Sequence, residues 1–365
     1  FKPCFFLSFM KTNKVQKTHF ASCCLNGIAE GCKLCVKGRK LVLFISGICK
    51  IGCYYCSLSN KRKNIDRIWA NERICNSTKD LIKEAKESNA TGAGITGGDP
   101  LICLGRTLKY AKALKKAFGK KFHIHIYLPT RYATAGKLKR LSGYIDEIRF
   151  HPEFLCRKQS KTEAEKDIQK IKMAGLFFAR QNIGIELPLL PRKKKEIFKF
   201  ILKIKDCIGF VNLNELEISD TNLDLITRKY KLREGGYVVS GSKEAGLWIL
   251  KQCEKAKLRL KVHLCTAELK NWHQYRNRLK RHKILPYGKR TKDGTVVYLA
   301  IYARNKGELD KLKKNIKGKK FIDSKKKRVI LDEKTAEKLA GRYKIKRVEE
   351  CPTFDGDEVE SEEIE

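Results

Sequence analysis

The stretch KLVLFISGICKIGCYYCSLS, residues 40–59, joins an apolar run to three closely spaced cysteines. LVLFIS (41–46) reads as a β-strand, and Cys49, Cys53 and Cys56 follow it at C-x3-C-x2-C spacing. Clustered thiols suit a metal, yet mononuclear and cubane sites usually take four ligands. Three thiolates can hold three irons of a [4Fe–4S] cubane, which leaves the fourth iron open to a small molecule. A three-cysteine zinc site completed by His is the alternative.

Outward from this stretch, β-like runs alternate with amphipathic helical ones. The further strand candidates are 92–96, 122–128, 145–150, 182–187, 209–218 and 258–264. Helical patterns such as TKDLIKEAKES, GRTLKYAKALKKAF, EAEKDIQKIKMAG and KEIFKFILKIK lie between them. Regular alternation predicts βαβ units and a parallel sheet, here a curved partial (β/α) barrel. Ligands of such sheets sit at the C-terminal ends of the strands, where the cysteine triad falls. Residues 1–39 read as an irregular Cys-rich segment and 40–283 as the barrel. Residues 284–365, with TVVYLAIYA, RVILDEKTAEKLAGRY and an acidic tail, read as a small α+β domain.

The residue before the third cysteine is Tyr55, giving C-x3-C-x-Y-C. That pattern after the first strand of a βα barrel resembles the radical S-adenosylmethionine (SAM) superfamily. The resemblance implies that SAM chelates the unique iron through its amino and carboxylate groups. It also implies that one electron from the cluster cleaves SAM to methionine and a 5′-deoxyadenosyl radical. GITGGDPL (94–101) resembles the superfamily's GGE-type motif, with Asp99 where Glu is common and Pro100 behind it. Gly97 and Gly98 would let backbone approach the methionine moiety, and the Asp99 carboxylate would take its ammonium. By itself, Gly-Gly-Asp-Pro reads as a turn. GCKLCVKGRK (31–40), HIHIYLPT, DEIRFHP, GIELPLLP and NLNELE extend the likeness from about residue 30 to 280. They resemble an archaeal radical SAM family related to pyruvate formate-lyase activating enzyme.

Other residues are candidates of a second rank. Arg149 suits the SAM carboxylate or a substrate anion, against a structural salt bridge. Glu186 is a candidate for the SAM ribose hydroxyls. Cys32, Cys35, His263 and Cys265 form a Cys3His set for Zn²⁺ or an auxiliary Fe–S cluster, against buried thiols and a core histidine. His123 and His125 share one strand face, as polar filling or as SAM or substrate contacts. Glu215 and Glu217 face either a substrate pocket or solvent. Cys75, Cys103, Cys156, Cys207, Cys253 and Cys351 read as structural, and Cys23 and Cys24 as spare thiols.

Composition bounds the rest. Fifteen cysteines, odd in number and clustered, suit a reducing compartment. No apolar run approaches the roughly 18 residues a membrane span needs. The leading FKPCFFLSFM reads as an over-extended or truncated frame with Met10 as the start, and the protein as cytoplasmic. Lys and Arg number 80 against 40 acidic residues, a net charge of +40. Such a field attracts polyanions, above all RNA such as tRNA, unless it only reflects a lysine-rich proteome. KNWHQYRNRLKRHK (270–283) mixes Trp272 and Tyr275 with cations that include Lys280, Arg281 and Lys283, as RNA stacking requires. A basic helix covering the barrel is the competing reading. The expectation is an oxygen-sensitive radical SAM enzyme supplied by an electron donor and modifying RNA. The alternative is an activating enzyme that places a radical on a protein partner, and an Fe–S module without activity is more distant.

Overall fold

The computed structural model describes residues 13–364; the start assigned to Met10 lies outside them. Seven strands, Lys40–Phe44, Gly92–Thr96, His123–Pro129, Glu147–His151, Ile183–Leu189, Phe210–Glu215 and Lys261–Cys265, lie side by side in chain order. Every neighbouring pair among them is parallel. This is the partial (β/α) barrel, with its strands in the predicted places.

Alternation along each strand decides what faces where. Leu41, Leu43, Ile124, Ile126, Ile148, Phe150, Leu187 and Leu213 are fully buried in the large apolar core. The helices Thr78–Glu87, Leu104–Phe118, Lys194–Ile204 and Ser242–Lys255 contribute the buried Leu81, Leu114, Ile201 and Ile249 to the same core. The alternate positions are largely polar: Lys40, His125, Glu147, Arg149, Glu186, Asn212 and His263.

The polar side chains of the barrel interior pair largely with one another, and the N-terminal segment fills part of the remaining space. The sequence reading of 1–39 as irregular is corrected here, because the described part forms two strands and a helix. Val15–Lys17 pairs with Cys23–Leu25, which runs antiparallel along Lys261–Cys265 and extends that edge of the sheet. At the other edge, Trp69–Ala70 pairs with the first parallel strand and Arg73–Ile74 pairs with Trp69–Ala70. Helix Glu30–Val36 then enters the barrel. Its Gly31 N–H donates to Glu147 Oε2 at 3.2 Å, and Cys32 Sγ lies 3.5 Å from Asn212 Oδ1. Glycines permit the fit. A Cβ on Gly92 would lie 2.5 Å from Leu34 Cδ1, and one on Gly94 2.6 Å from His125 Nε2.

The small α+β domain is antiparallel, in the order Lys320–Asp323, Arg328–Leu331, Val296–Tyr302, Ile345–Glu350, Glu358–Ile364. Lys289–Arg290 also pairs with Val296–Tyr302. Helices Lys306–Asn315 and Glu333–Leu339 close one core around Ile301, Ile316, Val329 and Leu331. The buried Arg328 is held by Glu350 through two bonds of 2.8 Å and by Asp323 at 2.9 Å. No helix among the described residues is long and apolar enough to cross a membrane.

The inserted helix gives a stability prediction. A Cβ on Gly31 would stand 2.6 Å from His125 Nδ1, 2.7 Å from Arg149 Nη2 and 2.9 Å from Glu147 Oε1. Gly31→Ala is therefore expected to cost about 1–3 kcal/mol through overpacking, read from the urea midpoint against wild type.

Candidate active site

The triad loop hangs between Phe44 and Trp69 and is tied down at several points. Gly47 and Ile65 pair through backbone at 2.9 Å, and Ser46 Oγ donates to Asp66 at 2.7 Å. From the far side of the barrel, Asn222 Nδ2 donates to the Tyr55 carbonyl and Thr221 Oγ1 to that of Cys56, both at 3.2 Å. Cys49, Cys53 and Cys56 all remain partly exposed and line a cavity of about 470 Å³ inside the barrel mouth. Burial pushes the Cys49 thiol up, while contact with Cys156 together with burial pushes Cys53 up. Such thiols stay protonated until a metal takes them as thiolates.

The glycine motif packs directly on this loop. Gly98 N–H donates to the Ser46 carbonyl at 2.8 Å, and Asp99 N–H to that of Ile48 at 2.9 Å. A Cβ would lie 2.3 Å from Ser46 O at Gly97, whose φ is +132°, and 2.2 Å from Ile48 O at Gly98. The glycines are thus required where two backbones meet. Asp99 is fully buried behind them. Its Oδ1 accepts from Leu101 N–H at 2.9 Å, and its Oδ2 has no partner among the described residues. Burial raises its pKa.

Tyr55 is oriented by His151. His151 Nδ1 lies 3.1 Å from the Glu186 carbonyl and must donate to it, so Nε2 accepts from Tyr55 Oη at 3.0 Å. Burial lowers the His151 pKa and keeps the ring neutral. The same Nε2 stands 4.0 Å from Cys53 Sγ.

Arg149 and Glu186, candidates for SAM, are spent on each other in this structure. Arg149 Nη1 donates to Glu186 Oε2 at 2.9 Å, Nε to Glu147 Oε1 at 2.7 Å, and Nη2 to Cys32 Sγ at 3.3 Å. The second Glu186 oxygen accepts from Asn212 and Asn214 at 2.6 and 2.7 Å. This is the salt-bridge arrangement. His263 is likewise committed: Nδ1 donates to Asn212 Oδ1 at 2.7 Å and Nε2 lies 2.8 Å from Ser22 Oγ. Burial beside Arg149 lowers it to about 3.

Cys32, Cys35, His263 and Cys265 do line the cavity together. Among the described residues, however, no three His, Cys, Asp or Glu side chains stand as a shell around one ion. For the Cys3His set this matches buried thiols and a core histidine, with the Cys32 thiol raised to about 12 by burial. For the triad it is no obstacle, because each thiolate of a cubane takes a different iron.

The remaining candidates also find partners. Glu215 accepts from Arg233 and from Ala267 N–H, both at 2.8 Å, and Glu217 pairs with Lys270. Neither is a solvated strand end. His123 faces Glu147 at 3.8 Å, and His125 is fully buried near Tyr127.

Comparison with known proteins now bears on the site. A 4Fe-4S single cluster domain matches residues 35–146. A curated protein of Methanocaldococcus jannaschii is 38% identical over 292 residues, spanning 78% of this chain and 76% of its own. Its name, glycyl-radical enzyme activating enzyme, is provisional. The chain belongs to the radical SAM superfamily, in the group related to pyruvate formate-lyase activating enzyme. Among solved structures, the radical SAM methyltransferase TsrM from Kitasatospora setae, with tryptophan and a SAM analogue bound, matches 69% of this chain. The match spans about half of that protein (53%) at 9% identity and a TM-score of 0.36, a likeness that assigns no residue a role. The family match and the curated relative, not that structure, place this radical SAM protein with enzymes that use a [4Fe–4S] cluster and SAM.

Sequence reasoning missed four contributors to this radical SAM site. Cys156, read as a lone structural thiol, contacts Cys53. Thr221 and Asn222, which fasten the triad loop, carry no motif. Lys40 lines the cavity through the same alternation that places Val42 there, a signal present in the sequence.

The packing of the two motifs predicts a loss of metal. Gly98→Ala forces Cβ onto a backbone carbonyl, so the reconstituted variant is expected to lose most of its iron and sulfide per chain. Gly105→Ala, whose Cβ meets nothing within 4 Å, is expected to keep the wild-type content.

Proposed function

We propose that this radical SAM enzyme is an activating enzyme that places a radical on a glycine or other side chain of a partner protein. The observation that carries the chemistry is the thiol triad packed on the glycine motif at the mouth of one cavity, with the unpartnered Asp99 Oδ2 buried behind those glycines. Three soft thiols on one loop fit a cluster, and an Asp99 oxygen without a partner among the described residues fits the ammonium of SAM. When bound, the cluster supplies the electron that cleaves the SAM sulfonium.

The chain's own residues do the rest. Cys49, Cys53 and Cys56 would hold three irons of the cluster. Gly97 and Gly98 keep the wall beside the triad free of side chains, and Asp99 Oδ2, buried behind them, would accept from the SAM ammonium. Tyr55, fixed by the neutral His151, closes the apolar side between Cys53 and Cys56 and excludes water there. Arg149 and Glu186 we assign to holding the barrel interior, on account of their mutual pairing.

The choice of partner rests on two points. The named relative is an activating enzyme, and the cavity is of a size that suits small ligands or one extended segment. A macromolecule must therefore present a single strand of chain to it. RNA has only the net charge in its favour. The arginines of segment 270–283 are spent internally, Arg278 on Glu72, Arg276 on Asp293 at 2.8 Å and Arg281 on the Asn89 carbonyl, while Lys280 and Lys283 stay exposed. That pattern fits a helix covering the barrel.

Two measurements check this proposal. Cys49→Ala, Cys53→Ala and Cys56→Ala are each expected to abolish 5′-deoxyadenosine formation after anaerobic reconstitution and reduction. An RNase-treated extract from cells grown on deuterated glycine is expected to pass deuterium into 5′-deoxyadenosine made by the wild type. Deuterium transfer from labelled RNA instead would overturn the protein-substrate reading.

A further inference from the structure

A second, smaller cavity of about 310 Å³ adjoins the first and shares Cys35, Lys40, Val42, Lys270 and Gln274 with it. It lies where the barrel is incomplete, between the first parallel strand with its antiparallel neighbours and the segment following the last. That segment, Leu269–Tyr275, is a π-helix, a form enriched at functional sites. Its lining charges are Lys40, Arg62, Lys270 and Arg278 against the single carboxylate of Glu72.

The pairings within this cleft are uneven. Arg278 holds Glu72 through bonds of 2.9 and 2.5 Å, and Lys270 holds Glu217. Arg62 has no carboxylate partner among the described residues. Its guanidinium donates to the Asn71 carbonyl at 3.0 Å and lies over the rings of Trp69 and Phe44 at 5.3 and 5.4 Å. Lys40 has no carboxylate partner among them either. Its stem crosses Gly94, where a Cβ would come within 3.2 Å of Lys40 Cδ. Two cations are thus held on the walls of a cleft that opens into the reaction cavity with no carboxylate paired to either, Lys40 facing the Cys35 thiol instead. An ammonium or guanidinium removed from bulk water without a counter-charge is costly unless a ligand supplies one.

We propose that this cleft is the route by which the substrate segment reaches the reaction cavity, and that the segment carries a carboxylate held by Lys40 and Arg62. The inference rests on the protein-substrate reading above and adds the chemistry of the segment. The carboxylate has two possible sources, an Asp or Glu side chain or a chain terminus.

Fluorescein-labelled heptapeptides with a central glycine test this on the reconstituted full-length protein with SAM. One is flanked by two glutamates and C-terminally amidated. A second has glutamines and an amide, a third has glutamines and a free terminus, and a labelled hexauridylate serves as the phosphate probe. A charge-assisted contact makes the carboxylate peptide bind about tenfold more tightly than the neutral one. Tight binding of the first identifies a side-chain source, and of the third a terminus. Lys40→Gln and Arg62→Gln are each expected to erase most of that preference, and Lys40→Arg to keep it. Equal binding of all three peptides to the wild type overturns the proposal without use of any variant. Tighter binding of hexauridylate than of any peptide also overturns it, in favour of a phosphate ligand. Formation of 5′-deoxyadenosine by the same wild-type preparation reports separately on the radical SAM chemistry, and deuterium transfer on the protein substrate.

Discussion

Arg149 carries a full charge at the centre of the barrel, and its surroundings are arranged to answer it. A buried guanidinium left alone costs several kcal/mol, so its partners are fixed as firmly as the strand that bears it. Glu147 and Glu186 take its donors on either side, Cys32 takes a third, and Tyr127 and Phe210 lie against its faces at 5.5 and 5.3 Å. Two carboxylates around one cation leave a surplus of negative charge. The amides of Asn212 and Asn214 relieve it at Glu186, and Asn212 passes the chain of bonds on to His263. One residue thereby ties the inserted helix, four strands of the wall and the last strand into a single unit. The triad loop can then be irregular, because the framework beneath it is not.

The seven parallel strands and the triad are legible in the sequence because both are local. A strand shows as a short run of Val, Ile and Leu between turn residues, and a cluster loop as spacing. The helix Glu30–Val36 is not legible. It has seven residues, two of them cysteines and one glycine, and its stability comes from docking rather than propensity. Partner choice in the barrel is equally hidden. Arg149 and Glu186 each look available to a ligand when read alone, and only the register between their strands shows that they meet. His263 shows the same: its partners Ser22 and Asn212 come from distant parts of the chain. The glycine motif was read for closeness to SAM, and its closest neighbour in the fold proves to be the backbone of Ser46 and Ile48.

Net charge proved a poor guide for a related reason. A count of +40 does not distinguish cations on the surface from those engaged within the fold. Along 270–283 the arginines hold Glu72, Asp293 and a backbone carbonyl, and so join the barrel to its surroundings. What matters for recognition is the charge left over after such pairings. On the walls of the two cavities that remainder is small and located, at Lys40 and Arg62, while the carboxylates of Glu186, Glu215 and Glu217 are all engaged.

The strand Glu358–Ile364 forms the outer edge of the small sheet, exposed along its length and bearing four glutamates, of which Glu362 and Glu363 pair with Arg347 and Lys344. An unpaired strand edge is a template on which another chain can grow a sheet. In a protein whose surface is mostly basic, an acidic rim would draw other proteins' positive faces but repel its own image. Two copies meeting rim to rim would bring rows of carboxylates together, and like charges opposite one another are unfavourable. Among the described residues, the long open edge of this sheet is therefore guarded against self-assembly by the residues least typical of the chain that carries it.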